Sequence, residues 1–143
     1  MNKKMISILL LVMMIASCAP AYAEDGPTRI SINGEAGIQN ITADSRYTTE
    51  VKAELWMVIY RQLVNAYPHG KLEMYICNSS YDFRPPNQVY RENETTNLLG
   101  TAYFHIPKGL PRGQYTLLII FRGESWWGGD FASSENDQLL TVR

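Results

Sequence analysis

The hydrophobic pattern of this chain is organised around 110–123, Leu-Pro-Arg-Gly-Gln-Tyr-Thr-Leu-Leu-Ile-Ile-Phe-Arg-Gly. Pro111 and Gly113 are turn residues. Beyond them Tyr115, Leu117, Ile119 and Phe121 fall on one face of an extended segment, and Thr116, Leu118 and Ile120 on the other, because side chains alternate with a period of two. Both faces are mostly apolar, which predicts a central strand covered on two sides. The segment is short and β-branched, and Arg122-Gly123 ends it, so a helix is disfavoured.

The other apolar runs are read as its neighbours. Residues 28–38 alternate strictly, with Thr28, Ile30, Ile32, Gly34, Ala36 and Ile38 on the inward side; this predicts a half-buried edge strand, broken or bulged near Asn33-Gly34. Residues 40–49 are polar and predict a loop. Residues 50–66 fit two templates: Val51, Ala53 and Leu55 alternate with charges, while Val51, Leu55, Val58, Ile59, Gln62, Leu63 and Ala66 also fit a helical face. The continuous run Leu55-Trp56-Met57-Val58-Ile59-Tyr60 favours a strand, since a helix apolar all round would need complete burial. Tyr67-Pro68-His69-Gly70 predicts a turn and 71–77 a strand. Residues 78–97 read as a long polar connection containing Pro85-Pro86, with a short strand at Val89-Tyr90. A strand over 98–106, a glycine- and aromatic-rich loop over 124–137 and a last strand over 138–142 complete the pattern.

Seven strand candidates joined by short turns predict an all-β fold, a single antiparallel β-sandwich. The succession Phe104-His105-Ile106-Pro107, turn, Gly113-Gln114-Tyr115-Thr116-Leu117 resembles immunoglobulin-like and fibronectin type III-like domains over about 40 residues. That resemblance implies a fold and leaves function open.

The N-terminus changes the picture. Lys3 and Lys4 precede an apolar run, 5–16, too short to span a bilayer comfortably, and Ala21-Tyr22-Ala23 is a small-x-small cleavage signal. Residues 1–23 therefore read as a signal peptide, which implies export to the periplasm or outer membrane. Ile15-Ala16-Ser17-Cys18 also resembles the lipobox of bacterial lipoproteins, which implies lipidation at Cys18 and, with Ala19 following, sorting to the outer membrane. Cleavage after Ala23 leaves 120 residues, 24–143, enough for one domain with one core. Without Lys3 and Lys4 the chain has 11 basic and 14 acidic residues, a formal charge of −3, which argues against nucleic acid or a membrane surface held by charge alone. Cys77 is then the sole thiol besides Cys18 and reads as a small buried hydrophobe.

Candidate chemistry is sparse. His69 and His105 have no metal-ligand spacing, and no cofactor or metal motif is present. Gly123-Glu124-Ser125 copies only the first half of a nucleophile elbow. Glu124 and Asp130 bracket Trp126 and Trp127 and could form an acid/base pair only by converging. The residues proposed to bind are Glu124, Trp126, Trp127, Asp130 and Phe131. Aromatic rings with carboxylates beside them suit stacking on sugars or anchoring a protein partner, and Gly128-Gly129 would permit close approach. The alternative is that both indoles cap one end of the core.

The function expected is a monomeric, non-enzymatic binding or assembly module of the bacterial cell envelope, with a protein or glycan partner. Two alternatives stand beside it. The alternation of 28–38 resembles the donor strands of chaperone–usher pilus subunits, and a chain of this size also suits a small exported enzyme inhibitor.

Overall fold

The computed structural model describes residues 26–59, 62–78, 84–126 and 129–143. The strands among them are β1 (Thr28–Ile32), β2 (Asn40–Ala43), β3 (Thr49–Ile59), β4 (Gln62–Ala66), β5 (Lys71–Cys77), β6 (Gln88–Thr95), β7 (Thr101–Ile106), β8 (Gly113–Phe121), β9 (Glu124–Trp126), β10 (Gly129–Phe131) and β11 (Ser134–Val142). The described residues are all-β and contain no helix.

Five strands form one sheet in the order β2-β11-β8-β5-β6, with β8 in the middle. Its two-sided apolar pattern is used on both faces. Tyr115, Leu117, Ile119 and Phe121 enter the main core, while Leu118 and Ile120 are buried with Tyr75 and Cys77 in a second cluster. In the other large sheet β3 is the spine, paired with β1 along one edge. Along its opposite edge β7 pairs with Thr49 to Glu54, and β4 with Trp56 to Ile59. One hydrophobic cluster draws on both sheets: Ile30, Ile32, Val51, Leu55, Phe104 and Ile106 from the second, and Leu72, Met74, Ile76, Leu117, Ile119 and Leu140 from the first.

At the changeover from β7 to β4 two strand ends abut the same partner. Leu55 donates its N–H to the Gly100 carbonyl and accepts from Tyr67 N–H, both within 2.9 Å. Gly100 sits in the left-handed region with φ 71°, and a Cβ there would lie 2.8 Å from both the Leu55 carbonyl and Ala66. Only glycine meets both demands.

The structure differs from the seven-strand expectation in ways with plain physical causes. Among the described residues eleven strands are present, not seven. Residues 50–66 fold back on themselves as β3 and β4. The polar connection 78–97 holds β6, eight residues long, whose side chains alternate between half-buried and exposed with no apolar face to betray it. The loop expected over 40–49 contains β2, which pairs with β11 in parallel, so the sheet is mixed. The strand expected from Leu98 begins at Thr101, because Leu98 and Leu99 occupy a turn. Strand β11 begins at Ser134, not Gln138; its inward residues there, Asn136 and Gln138, are polar yet buried.

The alternation of 28–38 stops being structural at Ile32. Asn33 and Gly34 both take positive φ, 51° and 85°, and reverse the chain, which leaves Ala36 and Ile38 exposed. Strand β1 nevertheless belongs to its own core, with Ile30 and Ile32 buried. Its outer edge is closed by side chains. Asn136 Nδ2 donates to the Ile30 carbonyl at 2.9 Å, and Gln138 bridges Gln39 N–H, the Gly37 carbonyl and Asn136. Buried amides like these are tolerated because each meets a partner.

Candidate functional site

The strand registers bring one set of turns to one end of the sheets. That end holds the start of β1, the β4–β5 turn, the β6–β7 turn and the segment between β8 and β11. The sequence predicts a loop over 124–137; the structure shows a two-stranded hairpin, β9 and β10, followed by the first half of β11. Gly129 pairs with Trp126, Asp130 with Ser125 and Phe131 with Glu124.

Gly123 lets β8 pass into this hairpin. Its φ is 82°, and a Cβ would fall 2.6 Å from the Phe131 carbonyl oxygen. The returning strand therefore packs directly on glycine backbone.

Register divides the proposed residues between two faces. Glu124 and Phe131, directly opposite one another, meet at Tyr67. The Tyr67 hydroxyl donates to Glu124 Oε1 at 2.6 Å, and its ring lies edge-on to Phe131 at 4.9 Å and tilted against Phe121 at 5.1 Å. Asp130 is exposed beside Ser125 on the alternate face. Glu124 and Asp130 therefore do not converge. The backbone of Trp126 lies in β9; its side chain, and the whole of Trp127, fall outside the described residues, as do Cys18 and the signal segment.

The segment leading into β1 is stitched to the same hairpin. Gly26 N–H donates to the Asp130 carbonyl at 2.7 Å and Ala132 N–H to the Gly26 carbonyl at 2.9 Å. Thr28 Oγ1 bonds the Ala132 carbonyl and Ser134 Oγ, each at 2.8 Å.

Beside Glu124 opens a cleft of about 640 Å³, bounded by Lys71, Glu73, Glu94, Thr95, Arg122 and Glu124. Its electrostatic centre is Glu73, on β5. Arg122 Nε donates to Glu73 Oε2, and Arg91 Nη2 and the Tyr75 hydroxyl donate to Oε1 at 2.8 and 2.9 Å. Burial pushes the Glu73 carboxyl up, but hydrogen bonds from Tyr75 and Arg122 and the two guanidinium charges outweigh it and leave it below the usual range. Because the folded-state value is the lower one, this network stabilises the fold above the ordinary glutamate range and loses its contribution as pH falls through the folded value. Urea midpoints of the wild type and Glu73→Gln should therefore differ at pH 7 and converge as pH drops below about 4. A gap that persists unchanged into acid would show that the carboxylate charge is not what the site uses.

The sequence reading missed Tyr67, Lys71, Glu73, Glu94 and Arg122. Tyr67 read only as the first residue of a turn; Lys71, Glu73 and Glu94 lie on strands and Arg122 directly follows one, and their convergence is set by long-range pairing. His69 sits in the exposed β4–β5 turn and His105 lies beside Glu92 on β7, near opposite ends of the described fold. No cluster among the described residues could hold a metal ion. No protein-family model matches the chain, and no curated protein is significantly similar to it.

Proposed function

We propose that this chain is an exported, non-enzymatic β-sandwich binding module of the bacterial cell envelope, immunoglobulin-like in fold. The observation that carries the binding reading is the mixed-charge cleft beside the β9–β10 hairpin, where Lys71 and Arg122 stand among Glu73, Glu94 and Glu124. Such a surface suits a polar partner such as a glycan or a charged segment of another envelope protein. A non-catalytic role is supported by the separation of Glu124 from Asp130 and by the commitment of Glu124 to Tyr67.

Two further features support the fold and the self-contained reading. The Tyr115 hydroxyl donates to the Pro111 carbonyl at 2.6 Å, four residues upstream, which is the bond of a tyrosine corner. The first strand fills its own core and not a neighbour's, which favours a monomeric module over a donor-strand subunit.

Purified cell-wall sacculi and detergent-solubilised envelope proteins are the two probes for this reading. Retention on one of them should fall at least tenfold in Lys71→Glu, with the melting temperature unchanged because Lys71 is exposed. A wild-type chain that neither probe retains, or retention indifferent to Lys71→Glu, would remove the cleft from consideration.

A further inference from the structure

The turn between β6 and β7 displays two leucines. Leu98 is 76% and Leu99 75% exposed, the highest values among the large hydrophobic side chains of the described residues. This exposure is built in. The Asn97 side chain accepts from Leu99 N–H at 2.9 Å and Thr101 N–H at 3.1 Å, its carbonyl takes Gly100 N–H, and its own N–H donates to the Thr101 carbonyl. Below the turn, Thr96 is buried, its hydroxyl donating to the Tyr67 carbonyl and accepting from Gly70 N–H, both at 2.7 Å. A turn fixed this firmly holds its two leucines out in water, at a cost that a solely structural turn would not need.

Its position says what covers it. Gly26 lies against the Phe131 ring, Phe131 against Tyr67, and Tyr67 bonds Thr96, so the leucine turn and the point where the N-terminal segment enters share one end of the fold. The segment before Gly26 carries the apolar run 5–16 and Cys18. Eight residue steps separate Cys18 from Gly26, a reach of at most roughly 28 Å. Strand β8, nine residues long, measures roughly 30 Å. A chain tethered through Cys18 therefore brings the leucine end to the bilayer within the linker's reach, whereas the far end lies at or beyond its full extension.

We propose that the Leu98-Leu99 turn docks onto the lipid surface that holds the N-terminus, inserting both side chains at the headgroup–acyl boundary. This rests on the envelope reading above and commits it to the lipidated form. The tether supplies an effective concentration on the order of millimolar, so two leucines suffice for a contact that a free chain would not hold. Around the turn Glu73, Glu94, Glu124 and Asp130 outnumber Lys71 and Arg122, so anionic headgroups contribute no net attraction; docking proceeds on phosphatidylcholine and resists added salt.

The test takes the full chain matured in a Gram-negative host, records its intact mass and floats it with phosphatidylcholine vesicles. Amide exchange is then compared between wild type and Leu98→Ser/Leu99→Ser, as protection factors corrected for side-chain identity. The expected result is a diacylglyceryl-modified mass beginning at Cys18, flotation of both proteins, and protection over 96–101 several-fold higher in the wild type, with 107–112 at the opposite end equal in both. Flotation without that difference overturns the docking while leaving the tether in place. A mass beginning at Glu24 removes the tether and the docking but not the binding module, whose test does not use lipid. Equal slowing at both ends of the wild type would reflect crowding and also overturn the proposal. If the double variant unfolds, the contrast between 96–101 and 107–112 within the wild type decides.

Discussion

Deleting residues 24–39 is expected to unfold the protein. The deletion removes β1, and with it the buried side chains of Ile30 and Ile32, each worth about 1.5–3 kcal/mol of apolar burial. It also strips partners from two buried amides. Asn136 loses the Ile30 and Glu35 carbonyls, and Gln138 loses the Gly37 carbonyl and Gln39 N–H, at about 1–3 kcal/mol for each side chain left unsatisfied. The combined loss, about 5–12 kcal/mol, is comparable with the whole stability of an ordinary domain, about 5–15 kcal/mol. Circular dichroism and amide chemical-shift dispersion should report an unfolded chain at 25 °C. A truncated chain that stays folded and regains its stability when a 28–38 peptide is added would reverse this expectation and favour the donor-strand alternative.

The second large effect is expected at Tyr67. Its ring is fully buried between Phe121 of β8 and Phe131 of β10, and its hydroxyl reaches Glu124 of β9, so one side chain fixes the hairpin to the core. Tyr67→Ala should cost about 3–5 kcal/mol, the usual range for emptying an aromatic site. Tyr67→Phe keeps the ring and leaves Glu124 Oε1 without its donor; it should cost about 1–2 kcal/mol, because the Glu124 carboxylate is only partly buried and water can replace the bond. Denaturant midpoints at constant slope measure both. If the two substitutions cost the same, the hydroxyl and not the ring packing attaches the hairpin.

Tyr67 also shows where a sequence stops being legible. The central strand could be read because its signal is local: seven consecutive residues of β8, apolar on both faces, can hardly lie anywhere but in the middle of a sheet. Strand β6 could be read only at Val89-Tyr90, because an edge strand needs no apolar face; Arg91, Glu92 and Glu94 disguise the rest as a loop. Buried Asn136 and Gln138 hid the first half of β11 for the opposite reason, since polar residues at inward positions break the expected alternation. Glu124 and Phe131 stood out by composition, but the side chain that both touch, Tyr67, lies 57 residues before Glu124. Pairings of that span are decided by topology and leave no periodic trace in the chain.

The bonds closing β1 against β11 span 106 residues, and β2 meets β11 in parallel across a separation of 99. Ribosomes make the amino end first, so the opening strand must wait for 106 further residues before its edge is sealed. Loop closure over such distances is paid in entropy before contacts return it, which places this chain among slow folders, on the order of milliseconds to seconds. During that interval Ile30 and Ile32 remain accessible to water and to other chains. A nascent polypeptide of this design stays threadable until its last strand emerges, and a ribosome stalled before residue 136 would present no completed domain.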